Sequence, residues 1–523
     1  MRGRGLVLGA LGASLVFAAP AFGAQKNVEL VKQITEAKNA TAINFLEYRD
    51  GWRGKRTVML VTGRFGLKSY DIGNPAKPQL LDELSAERLK LEGDPDVDFG
   101  PPDTSAPRST FWQNEDMDVD QDRKLVLLSR DPRAYAGSTT REPGEPDPNG
   151  ATNIAGVYIV DAKDPEALRL LAFQPLPTGH TTTCVNGCRA LWTGGPASTT
   201  RQQTELGWTG GRPIIVTDLS DPRRPRAFPM QPVDLFRRDG VTAYSHDVQV
   251  DDAGIAWVSG DGGTRGYYTD GVHYDPLERR HRHATALKPV PYGGGGIGPE
   301  HTNDSNGGFM HNAWRPIGKD APRGDDRYRK GELLLMTEED FGPAPEACSK
   351  QGKFTIASIK GSLNGEAWKS TPTTKFRMPV VGSWSPYGQE GSRLEGQYAP
   401  LANFCSAHYF DVDGSTVTYA WYGEGTRLLD ISDPANPRQF AYWRPDDGIV
   451  WASYLRDGYI YTADRTRGVD ILRLTGGAKA ARAAKQDLVA PSPSAKQRAF
   501  IAAQASDLIA DPDTFGLCFL PST

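Results

Sequence analysis

The stretch that decides the fold is TRLLDISDPANP, residues Thr426–Pro437. An apolar strand ends in an aspartate, and a turn follows in which a second aspartate precedes proline. Such an aspartate can hydrogen-bond its own backbone, and the proline presets φ for the first turn position. The residues after the turn, RQFAYW, read as another strand. The stretch therefore predicts two antiparallel strands joined by a tight turn.

The same phrase recurs along the chain. Its other copies are GLKSYDIGNPAKP (Gly66–Pro78), GVYIVDAKDPEAL (Gly156–Leu168), IIVTDLSDPRRP (Ile214–Pro225) and a shortened GVDILRL that starts at Gly468. A pair of alternating apolar runs precedes each copy, as in VQVDDAGIAWVSG and YFDVDGSTVTYAWYG, and a D-x-G turn between such runs indicates a hairpin. Each repeat thus has four strands, a to d, and repeats of this kind predict the blades of a β-propeller.

We expect an all-β protein with seven four-stranded blades over residues 25–475. The blades would start near Phe45, Glu115, His180, His246, His311, His408 and Ala452. Blades four and five lack the aspartate–proline turn, and their insertions around 262–308 and 315–330 are expected to be surface excursions. The last blade ends after its third strand, so KNVELVKQITEAKN near the N-terminus is predicted to supply the fourth and close the ring. The alternative is that Val28–Ala37 forms a short helix.

These repeats resemble the LVIVD-repeat family of bacterial exported β-propeller proteins. The resemblance covers about residues 25–475 and implies the propeller fold, but it implies little about activity. The segments that carry it are Gly66–Pro78, Gly156–Pro165, Ile215–Pro225, Arg427–Pro437 and Gly468–Leu472.

The N-terminus is typical of a secretory signal peptide over residues 1–24. Arg2 and Arg4 precede the apolar run Leu6–Ala19, and small residues then allow cleavage after Ala21 or, less favourably, after Ala24. No later stretch approaches 18 apolar residues, the length that would suggest a membrane span. We therefore expect a secreted, periplasmic or cell-wall-associated protein.

The other end, residues 476–523, is predicted to be a polar linker followed by a short helical tail, with Ser494 as the helix cap and Pro512 at its end. A net charge of −4 and a pI near 6.1 argue against general affinity for nucleic acid or anionic membranes.

The five cysteines fit an oxidising compartment. Cys184 and Cys188 could close a small loop, Cys348 could pair with Cys405, and Cys518 would remain. The alternative for the first pair is a zinc site with His180, although its spacing is not the usual one.

Four of the eight histidines fall at the start of strand a in successive repeats. Because strand a lines the channel of a propeller, these side chains should converge on its axis, together with an acid at the same repeat position. Neutral imidazole is the commonest side-chain ligand for zinc, copper and iron. The five residues are therefore candidates to hold one transition-metal ion (Zn, Cu, Fe or Mn), with the acid as a ligand or as a group that orients an imidazole. They are His180, His246, His311, His408 and Glu115.

The b-to-c connections should place further polar side chains at the same channel mouth. The candidate ligand-binding residues are Arg64, Arg130, Asp261, Glu339, Glu424 and Asp464, with Asp131 and Asp340 beside them. Two functions follow. The first is binding of a protein partner or small ligand at this polar face without catalysis. The alternative is a metal-dependent oxidoreductase or hydrolase with the histidine site on the axis.

Overall fold

The chain folds into a seven-bladed β-propeller of four-stranded antiparallel sheets. In the computed structural model, the described residues are 23–49, 54–92, 115–130, 155–176, 178–195, 214–233, 237–238, 241–242, 245–260, 263–275, 278–296, 310–339, 352–360, 378–386, 406–485, 487–491, 494–497 and 499–500.

The strands follow the order a, b, c, d from the axis outward in every blade. In blades one to seven, strand a is Ala40–Arg49, Met117–Asp120, Thr181–Val185, Ser245–Val250, Met310–Trp314, Phe410–Asp413 and Val450–Arg456. Strand b is Lys55–Gly63, Leu125–Arg130, Ala190–Gly194, Ile255–Gly260, Leu333–Glu338, Thr416–Ala420 and Tyr459–Asp464. Strand c is Gly66–Asp71, Ala155–Asp161, Ile214–Asp218, Gly263–Tyr268, Phe354–Ser358, Thr426–Asp430 and Gly468–Leu474.

Strand d of blades one to six is Gln79–Ser85, Arg169–Leu176, Arg226–Val233, Val290–Gly296, Val380–Trp384 and Arg438–Pro445. In blade seven this place is taken by the N-terminal strand Val28–Ile34, which pairs antiparallel with strand c. The segment is thus a strand rather than a helix, and only Thr35–Ala37 forms a 3-10 turn. The N-terminal strand therefore completes blade seven and closes the ring, so the last blade has no exposed strand c.

A further N-terminal strand, Gly23–Lys26, adds a fifth strand to the outer edge of blade six. Residues 1–22 of the predicted signal peptide lie outside the described residues, whereas Gly23 and Ala24 belong to this strand. Within the described parts of the chain, no helix is both long and apolar enough to cross a membrane.

The predicted excursion at 262–308 is wrong over most of residues 263–296, and residues 297–308 lie outside the described residues. Gly263–Tyr268 and Val290–Gly296 are strands c and d of blade four, and only the hairpin Val272–Asp275 with Arg280–His283 projects between them. The missing aspartate–proline turn hid this pair of strands because a hairpin insertion replaces the turn.

The segment 315–330 of blade five is also more than a surface excursion. It contains a 3-10 turn, Gly318–Asp320, and a short helix, Asp326–Arg329. Tyr328 is fully buried in the apolar core, and its hydroxyl donates to the carbonyl of Ile431 at 2.9 Å. The segment therefore packs onto blade six.

Beyond blade seven, part of the predicted linker is a helix, Gly477–Ala483, whose Ala478 is buried against blade six. Ser494 accepts the backbone N–H of Gln497 at 3.1 Å, as expected for a cap. Pro512 lies outside the described residues.

Candidate metal centre

Bulges in strand a set the direction of two of the channel histidines. In blade four, Ser245 pairs with Gly260 and Asp247 pairs with Ser259, so His246 is the extra residue of a bulge. The same shift occurs in blade five, between Met310 and Asn312, and it leaves His311 unpaired in the ladder. A bulge bends the strand and re-aims the inserted side chain, which here turns toward the axis.

The structure brings the five predicted metal residues together. Glu115 Oε1 lies 2.6 Å from His408 Nε2 and 3.4 Å from His311 Nε2. Glu115 Oε2 contacts His180 Nε2 and lies 3.7 Å from His246 Nε2. His180 Nε2 and His246 Nε2 are 2.9 Å apart. All five side chains are 0% exposed, so four imidazoles from four consecutive blades surround one buried carboxylate.

Hydrogen bonds from the far ring nitrogens fix two of the tautomers. His246 Nδ1 lies 3.2 Å from the carbonyl oxygen of His311, and His408 Nδ1 lies 2.5 Å from that of Trp451. A carbonyl oxygen can only accept, so the proton in each pair is on Nδ1. A neutral ring of this kind directs the Nε2 lone pair into the centre, which is the orientation found in histidines that bind metals.

Hydroxyl groups of neighbouring blades also hold the backbone at the histidines. Ser129 Oγ donates to the carbonyl of His180 at 2.9 Å, and Thr181 Oγ1 donates to that of His246 at 2.5 Å. The backbone of these two histidines is therefore bonded to the preceding blade.

Burial and neighbouring charges set the protonation of the centre. Burial alone would raise the pKa of Glu115, but the charge of His180 and its hydrogen bond to the carboxylate hold that pKa well below its usual value. Burial lowers the pKa of His246 to about 4, and burial with the neighbouring His408 and His246 lowers that of His311 well below its usual value. At neutral pH Glu115 is ionised while His246 and His311 are neutral, and these are the forms that bind metals.

Glu339, predicted only as a residue of the channel mouth, joins this cluster. Its Oε2 lies 3.9 Å from His311 Nε2, and its Oε1 lies 3.9 Å from His408 Nε2. The hydroxyl of Tyr422 donates to Oε1 and holds the carboxylate in place. Tyr422 itself has a φ of +36°, a left-handed backbone conformation that is strained for a bulky residue.

Three aromatic residues beside the centre were not found from the sequence. The ring centroid of Tyr409 lies 4.6 Å from that of His311, and those of Tyr422 and Trp451 lie 5.0 Å and 4.8 Å from that of His408. Tyr409 directly follows His408 in the chain, and this adjacency was the one available signal.

Two of the remaining predicted ligand-binding residues, Glu424 and Asp464, are held by other partners. Glu424 is buried in ion pairs with Arg427 and with Arg444, the latter at 3.0 Å. Asp464 is fully buried, and its Oδ1 accepts the backbone N–H groups of Ile449, Thr466 and Arg467.

The two arginines among the predicted ligand-binding residues differ in burial. Arg130 is buried and donates to the hydroxyl of Tyr158 at 2.9 Å, and Arg64 is half-buried. Asp261, Asp131 and Asp340 lie outside the described residues.

The predicted local disulfide between Cys184 and Cys188 is present. It lines a cavity of about 590 Å³ at the opposite end of the channel, beside Tyr268 and His273. His180 faces Glu115 instead, which overturns the alternative zinc site with these cysteines. Cys348, Cys405 and Cys518 lie outside the described residues.

No known protein family and no curated protein matches the chain in sequence. Among solved structures, the β-propeller domain of Cps50 (Swd1) from Myceliophteria thermophila is 8% identical, covers 86% of this chain and 100% of its own, and gives a TM-score of 0.44. A protein from Lactobacillus plantarum is 7% identical, covers 79% of this chain and 92% of its own, and gives a TM-score of 0.40. Neither likeness bears on the function.

Proposed function

We propose that this protein is a metal-binding propeller that holds a transition-metal centre on its axis with His180, His246, His311, His408 and Glu115. The observation that carries the proposal is the convergence of four buried imidazole Nε2 atoms on one buried carboxylate. Zinc, copper, iron and manganese are the metals that this mixture of nitrogen and oxygen donors suits.

Hydrogen bonding alone is a poor account of the centre. The Nε2 of His408 carries a lone pair when Nδ1 donates to a carbonyl, yet it lies 2.6 Å from an oxygen of Glu115. Two lone pairs at that distance repel each other unless a proton or a cation lies between them. A metal ion removes this repulsion at His408, whereas a proton on Nε2 would place a cationic imidazole in the buried space.

Partner binding through the polar mouth has less support. Of its six predicted residues, Glu424, Asp464 and Arg130 are buried and engaged in internal contacts. A buried side chain that already has partners offers little to a ligand. The metal-dependent alternative therefore becomes the better-supported function, and the metal would set its chemistry: copper or iron would suit oxidation, and zinc would suit hydrolysis.

We further propose that the protein is exported and belongs to the LVIVD-repeat family. The apolar N-terminal run after Arg2 and Arg4 and the disulfide between Cys184 and Cys188 support export. The repeated turn sequences support the family assignment.

The test is elemental analysis by ICP-MS of untagged full-length protein and of the variant His246→Ala/His408→Ala. We expect a near-stoichiometric transition metal in the wild type and its loss from the variant. The matched control is His281→Ala/His283→Ala, which removes two exposed histidines from the projecting hairpin of blade four and should retain the metal.

Far-UV circular dichroism should show that all three proteins are folded. A wild type that contains no metal and takes up none of Zn²⁺, Cu²⁺, Fe²⁺ or Mn²⁺ on titration would overturn the proposal. Equal metal content in the wild type and in His246→Ala/His408→Ala would also overturn it, because the metal would then bind elsewhere.

A further inference from the structure

We infer that the axial centre holds two metal ions bridged by the carboxylate of Glu115, and that Glu339 is a ligand of one of them. The inference rests on the proposed function and deepens it, since the sequence alone suggests a single ion. One ion would lie between Glu115, His180 and His246, and the other between Glu115, His311 and His408.

The two oxygens of Glu115 face different pairs of imidazoles. The nearest carboxylate oxygen to His180 and His246 is Oε2, and the nearest to His311 and His408 is Oε1. Donor atoms within each triad lie within 4.8 Å of one another. A carboxylate divided in this way matches a bridging ligand, and two-metal sites hold their ions roughly 3.5–4 Å apart.

The number of donor atoms also exceeds the needs of one ion. The four imidazoles offer four nitrogens, and Glu115 and Glu339 offer four oxygens, all on fully or almost fully buried side chains. Zinc usually takes about four ligands, and octahedral ions take about six. Eight donors divide readily between two ions that share Glu115.

Glu339 lies on one side of this arrangement. Its two oxygens face His311 and His408, the pair that shares Oε1 of Glu115, and it also forms a triad with His246 and His311. The hydroxyl of Tyr422 fixes its position. The two ions would thus differ, with an extra carboxylate on the ion at His311 and His408.

The experiment loads metal-stripped full-length protein with excess Mn²⁺, removes free metal by gel filtration, and measures manganese by ICP-MS and electron paramagnetic resonance. We expect two ions per chain and a spectrum of exchange-coupled ions. The variants His180→Ala/His246→Ala and His311→Ala/His408→Ala should each retain one ion with an uncoupled spectrum. Glu339→Gln should weaken one of the two binding steps roughly 10-fold or more.

The failures of the two proposals are distinguishable. One ion per wild-type chain, with an uncoupled spectrum at saturation, would overturn the dinuclear inference and leave the proposed function standing. No bound ion after loading with Mn²⁺, Zn²⁺, Cu²⁺ or Fe²⁺ would overturn both. The wild-type stoichiometry decides the question even if one of the double variants fails to fold.

Discussion

Glu115 and Glu424 are two buried carboxylates of the same propeller with very different neighbours. Glu424 is 4% exposed, and its Oε2 accepts from Arg427 and Arg444, which are themselves 0% and 3% exposed. Glu115 is 0% exposed and is surrounded by imidazoles. A guanidinium is always charged, whereas an imidazole can release its proton near neutral pH.

This difference separates structural charge from functional charge. The charge of Glu424 is compensated permanently by groups that the fold itself provides, so nothing further needs to bind there. The compensation of Glu115 can change, because protons on its imidazoles can be exchanged for a metal. A buried acid is therefore a better indicator of a ligand site when its neighbours are histidines than when they are arginines.

The largest effect is expected for Glu424→Gln. The substitution leaves two buried guanidinium groups without their anion, and removal of one partner from a buried ion pair costs about 3–5 kcal/mol of the free energy of unfolding. Urea denaturation followed by fluorescence at pH 7 measures the loss. The metal content of the folded fraction should not change, because Glu424 does not join the axial cluster.

Lys360→Ala provides the control for this variant. Lys360 pairs with Glu332 at 3.0 Å at the surface, and its side chain is 69% exposed. Exposed pairs contribute about 0–1 kcal/mol. A cost for Glu424→Gln as small as that of Lys360→Ala would contradict the view that its buried charges are mutually dependent.

Asp464 represents a third kind of buried acid, held by backbone N–H groups, and Asp464→Asn should give the next largest effect. Burial, with a smaller contribution from Asp470, raises the pKa of Asp464 to about 6. A raised pKa means that the folded state binds the proton more tightly. The stabilisation is then complete below the unfolded pKa of about 4 and is lost as the pH rises through 6.

A shift of that size corresponds to roughly 3 kcal/mol. Between pH 4 and pH 7, Asp464→Asn should therefore lose less stability than the wild type, and the difference can reach that amount. Urea denaturation at several pH values measures it. The asparagine retains Oδ1 for the three backbone donors. If the free energy of unfolding changed with pH in the same way for both proteins, Asp464 would not titrate in this range.

Much of the fold could be predicted from the sequence because the turn of Thr426–Pro437 is local and repeated. Each copy specifies two strands and the reversal between them, and the incomplete last blade pointed to Val28–Ile34. Strands c and d of blade four were missed where a hairpin replaces that turn. Local signals thus predicted the blades that keep the turn and missed the strands beside a blade-specific insertion.

The candidate site shows a similar division. The alignment of His246 and His408 followed from matching flanks, and that of Glu115 followed from its repeat position. The start of blade seven was placed near Ala452, but the bulge falls at Trp451, since Val450 pairs with Asp464 and Ala452 with Ala463. Alternation of apolar residues does not reveal an inserted residue.

Contacts between distant segments also escaped prediction. Glu339 reaches the histidines while Tyr422, 83 residues further along the chain, holds it in place. The ion pair of Glu424 with Arg444 joins residues 20 apart. Both acids looked alike in sequence, as polar residues of a b-to-c connection, and only their neighbours in space distinguish them.

The smallest effect is expected for Glu115→Gln in metal-stripped protein, and it tests the comparison most directly. At pH 8 the imidazoles around the substituted residue can be neutral, so no buried cation is left without its anion, unlike in Glu424→Gln. We expect a cost of about 1 kcal/mol, that of one net hydrogen bond, in urea denaturation. A cost equal to that of Glu424→Gln would show that the histidines are obligate cations and that Glu115 is a structural ion-pair partner.

Added Zn²⁺ at about 100 times its dissociation constant should stabilise the wild type by about 2.7 kcal/mol and the variant by less. Replacing Glu115 would then cost less stability than replacing Glu424 in the stripped protein, yet it would matter more once metal is present.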